Sequence, residues 1–131
     1  GIIAVETTAD AVKNTLEKLV SEVLPEAKDG AYFLCSQAEA KKIISHDWGN
    51  LRQYVPERKD CDKFAQRLRV HFNDVYGLNN VVEIFGWWGP IYHSWILVIG
   101  SDGVLEVEPQ TDEIANAGEL KDHKATKVRD W

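Results

Sequence analysis

Methionine is missing from the 131 residues, cysteine occurs only twice and proline four times. The two thiols, Cys35 and Cys61, could close one disulfide. A chain of this length buries a core without such a staple, so both are read as free. The lack of methionine leaves room for a processed N-terminus. No apolar run reaches the length of a membrane span. The opening Gly1-Ile2-Ile3-Ala4-Val5 is too short for a signal peptide and lacks its basic flank. A soluble chain is expected, with no compartment specified and no membrane partner. A basic stripe is also absent. Fifteen basic against twenty-one acidic residues leave a net charge of -6, which argues against nucleic acid as the main partner. No repeat and no Gly/Ser/Pro linker divides the chain, so one domain over 1–131 is expected.

What is present is a change of period. Val12, Leu16, Leu19, Val20, Val23 and Leu24 follow helical spacing, with Pro25 as a stop. Ala31 to Cys35 reads as a short strand after the Asp29-Gly30 turn. Ser36 with Glu39 reads as a capping box opening a second helix through Ile44. His46 to Arg58 reads as irregular, holding Trp48, Leu51, Tyr54 and Pro56. Asp60 is placed as the cap of a third helix whose apolar face runs Phe64, Ala65, Leu68, Phe72 and Val75, ending near Gly77. Beyond that the period becomes two. Val81 to Phe85, Ile91 to Ile99 and Val104 to Glu108 read as strands, the last two joined by Gly100-Ser101-Asp102-Gly103. Helices first and antiparallel strands second make an α+β arrangement. The polar segment after Gln110 reads as a tail or sheet edge closing with Trp131. Lys41-Lys42 and the Lys121 to Arg129 stretch read as solvated faces.

Three chemically apt residues fall on these elements: Cys61 at a helix start, His93 on a strand and Glu108 on the next strand. If Ile99 pairs with Val104, residues 93, 95, 104, 106, 108 and 110 point to one side of the sheet. His93 and Glu108 are then diagonal neighbours, roughly 7–8 Å apart at the backbone. A thiol in the first turn of a helix gains thiolate character from the unpaired amides, while the flanking Asp60 and Asp62 oppose it. In the resulting triad His93 takes the thiol proton, Glu108 holds the ring's tautomer and Cys61 attacks a carbonyl to give an acyl-enzyme. Glu106 shares the His93 face and competes with Glu108 for the orienting role. Oxyanion donors are sought in the Cys61 amide with Gln110, Gln53 or the Trp48 indole. Trp87 and Trp88, beside the His93 strand, are candidate substrate walls, or else a packed turn capping the sheet. Trp48 and Trp95 are placed as shields of the triad against water.

The stretch Tyr54-x-Pro56-x(4)-Cys61-Asp62-x-Phe64-Ala65, then His93-Ser94-Trp95, then Glu108-Pro109-Gln110 resembles the papain-like and transglutaminase-core cysteine peptidase superfamily. It looks closest to the protease-like C-terminal domain of the fungal agglutinins, which small bacterial and phage proteins share. The resemblance covers Trp48 to Gln110. It implies a papain-like fold, with helices packed on a small antiparallel sheet, and Cys61 as nucleophile, His93 as base and Glu108 as orienting acid. A peptide or protein substrate is implied. So is a requirement for calcium or a like cation, which Asp60 and Asp62 could serve although no calcium-loop spacing is present. No sugar-binding repeat is seen, so lectin activity does not carry over. The NlpC/P60 cell-wall peptidases also open a helix with Asp-Cys. They normally continue with Ser-Gly and often use a second His, where this chain has Asp62-Lys63 and Glu108. Besides a peptidase or amide hydrolase, a non-catalytic binding module that retains the fold and a cell-wall peptidase of the NlpC/P60 kind are carried as alternatives. Cys35 is read as core filler. His46, His71 and His123 are read as loop or surface histidines, and no zinc site is expected, since no Cys/His cluster has ligand spacing.

Overall fold

In a computed structural model of the chain, the backbone is described for residues 2–23, 26–53 and 61–131, with side chains of these except 47–53, 61, 62 and 130. The chain is mixed α+β. Its elements are β1 (Val5–Thr8), α1 (Ala9–Glu17), β2 (Glu22–Val23), β3 (Ala31–Leu34), α2 (Gln37–Gln53), α3 (Cys61–Tyr76), β4 (Val81–Trp88), β5 (Ile91–Gly100), β6 (Gly103–Glu108), β7 (Glu113–Asn116) and β8 (His123–Asp130). Strands β1 and β3 form a two-stranded ribbon; the others form a six-stranded sheet in the order β2-β8-β4-β5-β6-β7.

The helix boundaries have local causes. The Thr8 side chain accepts from the Ala11 amide and starts α1. That helix stops at Glu17, well before Leu24, because the chain turns out to lay Glu22 and Val23 parallel to Lys127 and Val128. The expected capping box is present: the Ser36 amide donates to Glu39 at 3.0 Å and the Glu39 amide to Ser36 Oγ at 3.1 Å. Helix α2 then runs on to Gln53, so the segment expected to be irregular from His46 is helical that far. Nothing between Ile44 and Gln53 is a strong stop, since a single Gly49 is tolerated within a helix. Tyr54, Pro56 and Asp60 lie outside the described residues. At its far end α3 closes on Gly77, whose φ of 68° suits a residue without Cβ. There the Leu78 amide donates to the Phe72 carbonyl, a Schellman-type end.

The sheet carries a core on each face. On one, Phe64, Ala65, Leu68 and Phe72 of α3 and Ile43 and Ile44 of α2 pack on Val81, Ile96, Val98, Leu105 and Val107. On the other, Val12 and Leu16 of α1 with Tyr32 and Leu34 of β3 pack on Val82, Ile84, Trp95, Leu97 and Ile99. Burial on both faces explains why β5 reads as a continuous apolar run from Trp95 to Ile99. The hairpin register is the expected one, with Ile99 opposite Val104 and Gly100 opposite Gly103.

The segment after Gln110 is not a tail. Strand β8 lies between β2 and β4. Trp131 is buried, with its carbonyl 2.6 Å from the Tyr32 hydroxyl and its ring stacked on Tyr32. The Lys124, Lys127 and Arg129 side chains are solvated as expected, but the backbone that carries them is paired.

At one point β4 and β8 come closest. A Cβ on Gly86 would collide with the Lys124 carbonyl and lie 2.6 Å from the Trp95 ring. Both obstacles belong to packed structure, so neither can move cheaply. Gly86→Ala is therefore expected to destabilise the fold by about 3 kcal/mol, read as a lower urea midpoint with the slope unchanged.

Candidate functional site

Strand parity brings the predicted pair together. Gly86 lies opposite His93 and Ala125, and Trp88 lies opposite Ile91 and His123, so His93, Trp88 and His123 stand on one face. The expected side for β6 holds too: His93 Nε2 is 3.1 Å from Glu108 Oε1. The carboxylate is fully buried and the imidazole 11% exposed. Oε2 of Glu108 accepts the Gln110 amide at 3.0 Å. The His93 contact is close but not in line for a hydrogen bond, and Nδ1 of the same ring is buried with no partner among the described residues.

The structure adds a third member that sequence reasoning placed on the surface. His123 Nε2 lies 2.9 Å from the same Glu108 Oε1, and its side chain is 1% exposed. Its Nδ1 is 2.8 Å from the Lys121 carbonyl. Trp88 stacks on both imidazoles, with ring centroids 5.3 Å from His93 and 5.2 Å from His123. The reading of His123 as a partnerless loop histidine, and the expectation that no such cluster exists, are both corrected. The signal was faint because a register shift near Phe85/Gly86 breaks the period of two in β8.

Glu106 does not compete for the imidazole. Its Oε2 accepts the Trp95 indole N–H at 2.7 Å and its Oε1 the Gly118 amide at 2.6 Å. It satisfies a buried indole and a part-buried backbone amide and is structural. Trp95, fully buried beside His93, has its N–H committed there.

The remaining candidates divide. Trp88 borders the cluster, whereas Trp87 projects from the other face, packing edge-on against Tyr92, and is not part of this site. Both tryptophans belong to β4 itself, not to a turn. Gln110 lies beside the carboxylate through its amide. Trp48 and Gln53 fall within α2, and their side chains, like those of Cys61 and Asp62, lie outside the described ones; so does all of Asp60. Cys61 is the first residue of α3. That helix packs on the Ile96 and Val98 face, while His93 shares parity with Trp95, Leu97 and Ile99 of the opposite core. Cys35 is free, buried and 3.8 Å from the Asn80 amide; burial pushes its thiol pKa up. That is the behaviour of core filler. His46 is exposed on α2, and His71 lies edge-on to Tyr76, both away from the cluster.

Cavities follow the same division. One of about 620 Å³ lies along α3, against Arg67, Val70, His71 and Val75, and shares no residue with the cluster. A smaller one of about 290 Å³ is lined by Glu106, His123 and Lys124 and so borders the cluster on the His123 side.

No protein-family model and no curated protein matches the chain. A solved structure described as the PSL1a–E64 complex has the same overall fold. It matches with a TM-score of 0.64 at 22% identity, over 94% of this chain and 49% of that one. The chain thus spans about half the length of that neighbour. Among the described residues no helix is long and apolar enough to cross a membrane.

Burial alone would raise the Glu108 pKa, but the His93 contact, the Gln110 amide and His123 outweigh it and hold the carboxyl below its ordinary 4.5. A depressed folded value means the contribution to stability is complete above the unfolded pKa and lost as pH falls through the folded one. Wild-type stability is expected to fall more steeply between about pH 5 and pH 3 than that of Glu108→Gln. Urea midpoints measured across that range would show it, and parallel curves would remove Glu108 as the cause.

Proposed function

We propose that this chain is a papain-like domain acting as a cysteine-nucleophile peptidase or amide hydrolase, with Cys61, His93 and Glu108 as its triad. The observation that carries the reading is the placement of the His93 ring: Nε2 lies 3.1 Å from an oxygen of a buried carboxylate, while Nδ1 has no partner among the described residues. A carboxylate fixing one nitrogen and leaving the other to take a proton is what a nucleophile's base requires. The fold shared with a chain complexed with E64, a cysteine protease inhibitor, supports it as well.

In this mechanism Nδ1 of His93 takes the proton of the Cys61 thiol. The sulfur attacks the carbonyl carbon of a peptide or amide, and the amine leaves with the proton from the imidazolium. Water, deprotonated by His93, then attacks the thioester and releases the acid with the thiol restored. Glu108 stabilises the transient imidazolium. The Cys61 amide and Gln110 are the donors proposed for the developing oxyanion, and Trp88 keeps water from one side of the ring.

A second reading is favoured by a specific feature. Helix α3, which opens at Cys61, packs on the sheet face opposite the imidazole, and the triad needs the thiol to meet Nδ1 across that division. A chain in which it does not is a binding module that kept the fold without the chemistry.

Treatment with an epoxysuccinyl inhibitor of the E64 type decides between the two. The expected result is one adduct per chain by intact mass, mapped to Cys61 and absent in Cys61→Ala. Labelling should slow at least about tenfold in His93→Ala, the order of effect that loss of general-base help produces. Running the reaction with calcium and with a chelator reads the cation requirement separately. Slow labelling insensitive to His93 under both conditions establishes the binding module instead.

A further inference from the structure

We infer that His93, Glu108 and His123 form a binding site for one divalent transition-metal ion of the zinc type. The site uses described side chains alone and does not depend on Cys61 or on the hydrolase reading.

The argument begins with a proton count. A backbone carbonyl can only accept, so the 2.8 Å contact between His123 Nδ1 and the Lys121 carbonyl places a hydrogen on Nδ1. A neutral His123 then turns the lone pair of Nε2 toward Glu108 Oε1 at 2.9 Å. Two lone pairs at that distance repel, so a positive charge must sit on the ring or between the two atoms. His93 poses the same problem on the same oxygen. Its Nε2 is 3.1 Å away without hydrogen-bond alignment, and both of its nitrogens are buried without a hydrogen-bond partner among the described residues. A proton on His123 answers for that ring and leaves His93 as it is. One cation among the three donors answers for one nitrogen of each ring and for the carboxylate together.

The donor set fits zinc. One atom from each residue lies within 4.8 Å of the others, and two imidazole nitrogens with one carboxylate oxygen form a known zinc ligand set. In a tetrahedral site with bonds of about 2.0–2.1 Å, adjacent donors are about 3.3 Å apart. The two nitrogen–carboxylate separations of 2.9 and 3.1 Å are within a few tenths of an ångström of that value, and the donor atoms of the two imidazoles lie within 4.8 Å of each other. Calcium would want six to eight oxygens and finds one carboxylate here.

The surroundings are those of a built site. The Lys121 carbonyl fixes the His123 tautomer that presents Nε2, the arrangement commonly seen behind metal-ligating histidines. The Gln110 amide holds the second carboxylate oxygen, leaving Oε1 as the ligand. Trp88 stacks on both rings and limits their rotation. Three protein donors leave a fourth position for water or another ligand. Where the triad of the preceding section operates, a consequence resting on that reading follows: a bound ion ties up the Glu108-oriented base and switches the hydrolase off.

The test uses the whole chain, titrated with Zn²⁺ against a chromogenic chelator, and with Co²⁺ read by its visible absorption. We expect one ion per chain and a zinc-edge spectrum of nitrogen and oxygen donors without sulfur. Affinity should drop at least about tenfold in His123→Gln and in His93→Gln, and stay unchanged in Cys61→Ser. Circular dichroism establishes that each variant is folded; should His93→Gln fail to fold, His123→Gln and the wild-type edge spectrum decide. No saturable binding overturns the inference, as does binding indifferent to His123 or a spectrum dominated by sulfur. Epoxide labelling of metal-free protein is a separate readout, so loss of the metal site would leave the hydrolase reading standing, and the reverse.

Discussion

A carboxylate with no exposure to solvent is the constraint around which this end of the molecule is organised. Leaving a charge of that kind uncompensated in the interior costs several kcal/mol, so the fold must surround Glu108 with donors or cations. It does so from three directions: the Gln110 amide two residues on, His93 from β5 and His123 from the start of β8. The result is a carboxyl held in its charged form in spite of its burial. Each partner comes from a different stretch of chain, so assembling the site and assembling the sheet are one event. Strands β4, β5, β6 and β8 must be in register before the charge is answered. A one-residue slip in any of them would send a partner to the wrong face.

Glu106 and Glu108 show how one sheet face can host two buried acids with different duties. Both side chains point the same way, two residues apart. Glu106 meets an indole N–H and a backbone amide, neutral donors that cannot change state. Glu108 meets two imidazoles, whose ring nitrogens can each donate, accept or bind a metal. Chemistry is therefore possible at the second and not at the first. The division also explains the buried Trp95: its N–H is the partner that keeps Glu106 away from His93, while its ring forms part of the wall beside the imidazole.

Much of this was legible before any coordinates. The alternation in β5 and β6 and the Gly100–Gly103 turn carry the hairpin register, and that register alone puts His93 and Glu108 on one side. The Ser36–Glu39 box and Gly77 mark helix boundaries by chemistry local to a few residues. What escaped notice depends on pairing between distant segments. Val5–Thr8 is a strand because β3 is there to accept it, Glu22–Val23 because β8 is, and neither stretch is long enough to announce itself. His123 was hidden for the same reason. Its strand is rich in lysine and interrupted by a bulge, so its inward residues do not alternate, and only the neighbouring β4 shows which of them face inward. Past Ile44 the aromatic and polar residues of α2 blur its periodicity without stopping the helix, which runs to Gln53.

The two-faced sheet also limits how a nucleophile can be delivered. A helix packed on one face presents its first residue to the other face only at an open end of the strands, where no backbone intervenes. His93 lies near that end of β5, two residues after its first, and its strand partner there is Gly86, the position where no side chain could be added. Omitting a Cβ opposite the imidazole is what allows the Trp95 ring and β8 to approach so closely, and that approach brings His123 to Glu108. The proposed proton transfer from a thiol and the proposed coordination of an ion would draw on the same carboxylate-bound ring, so each excludes the other.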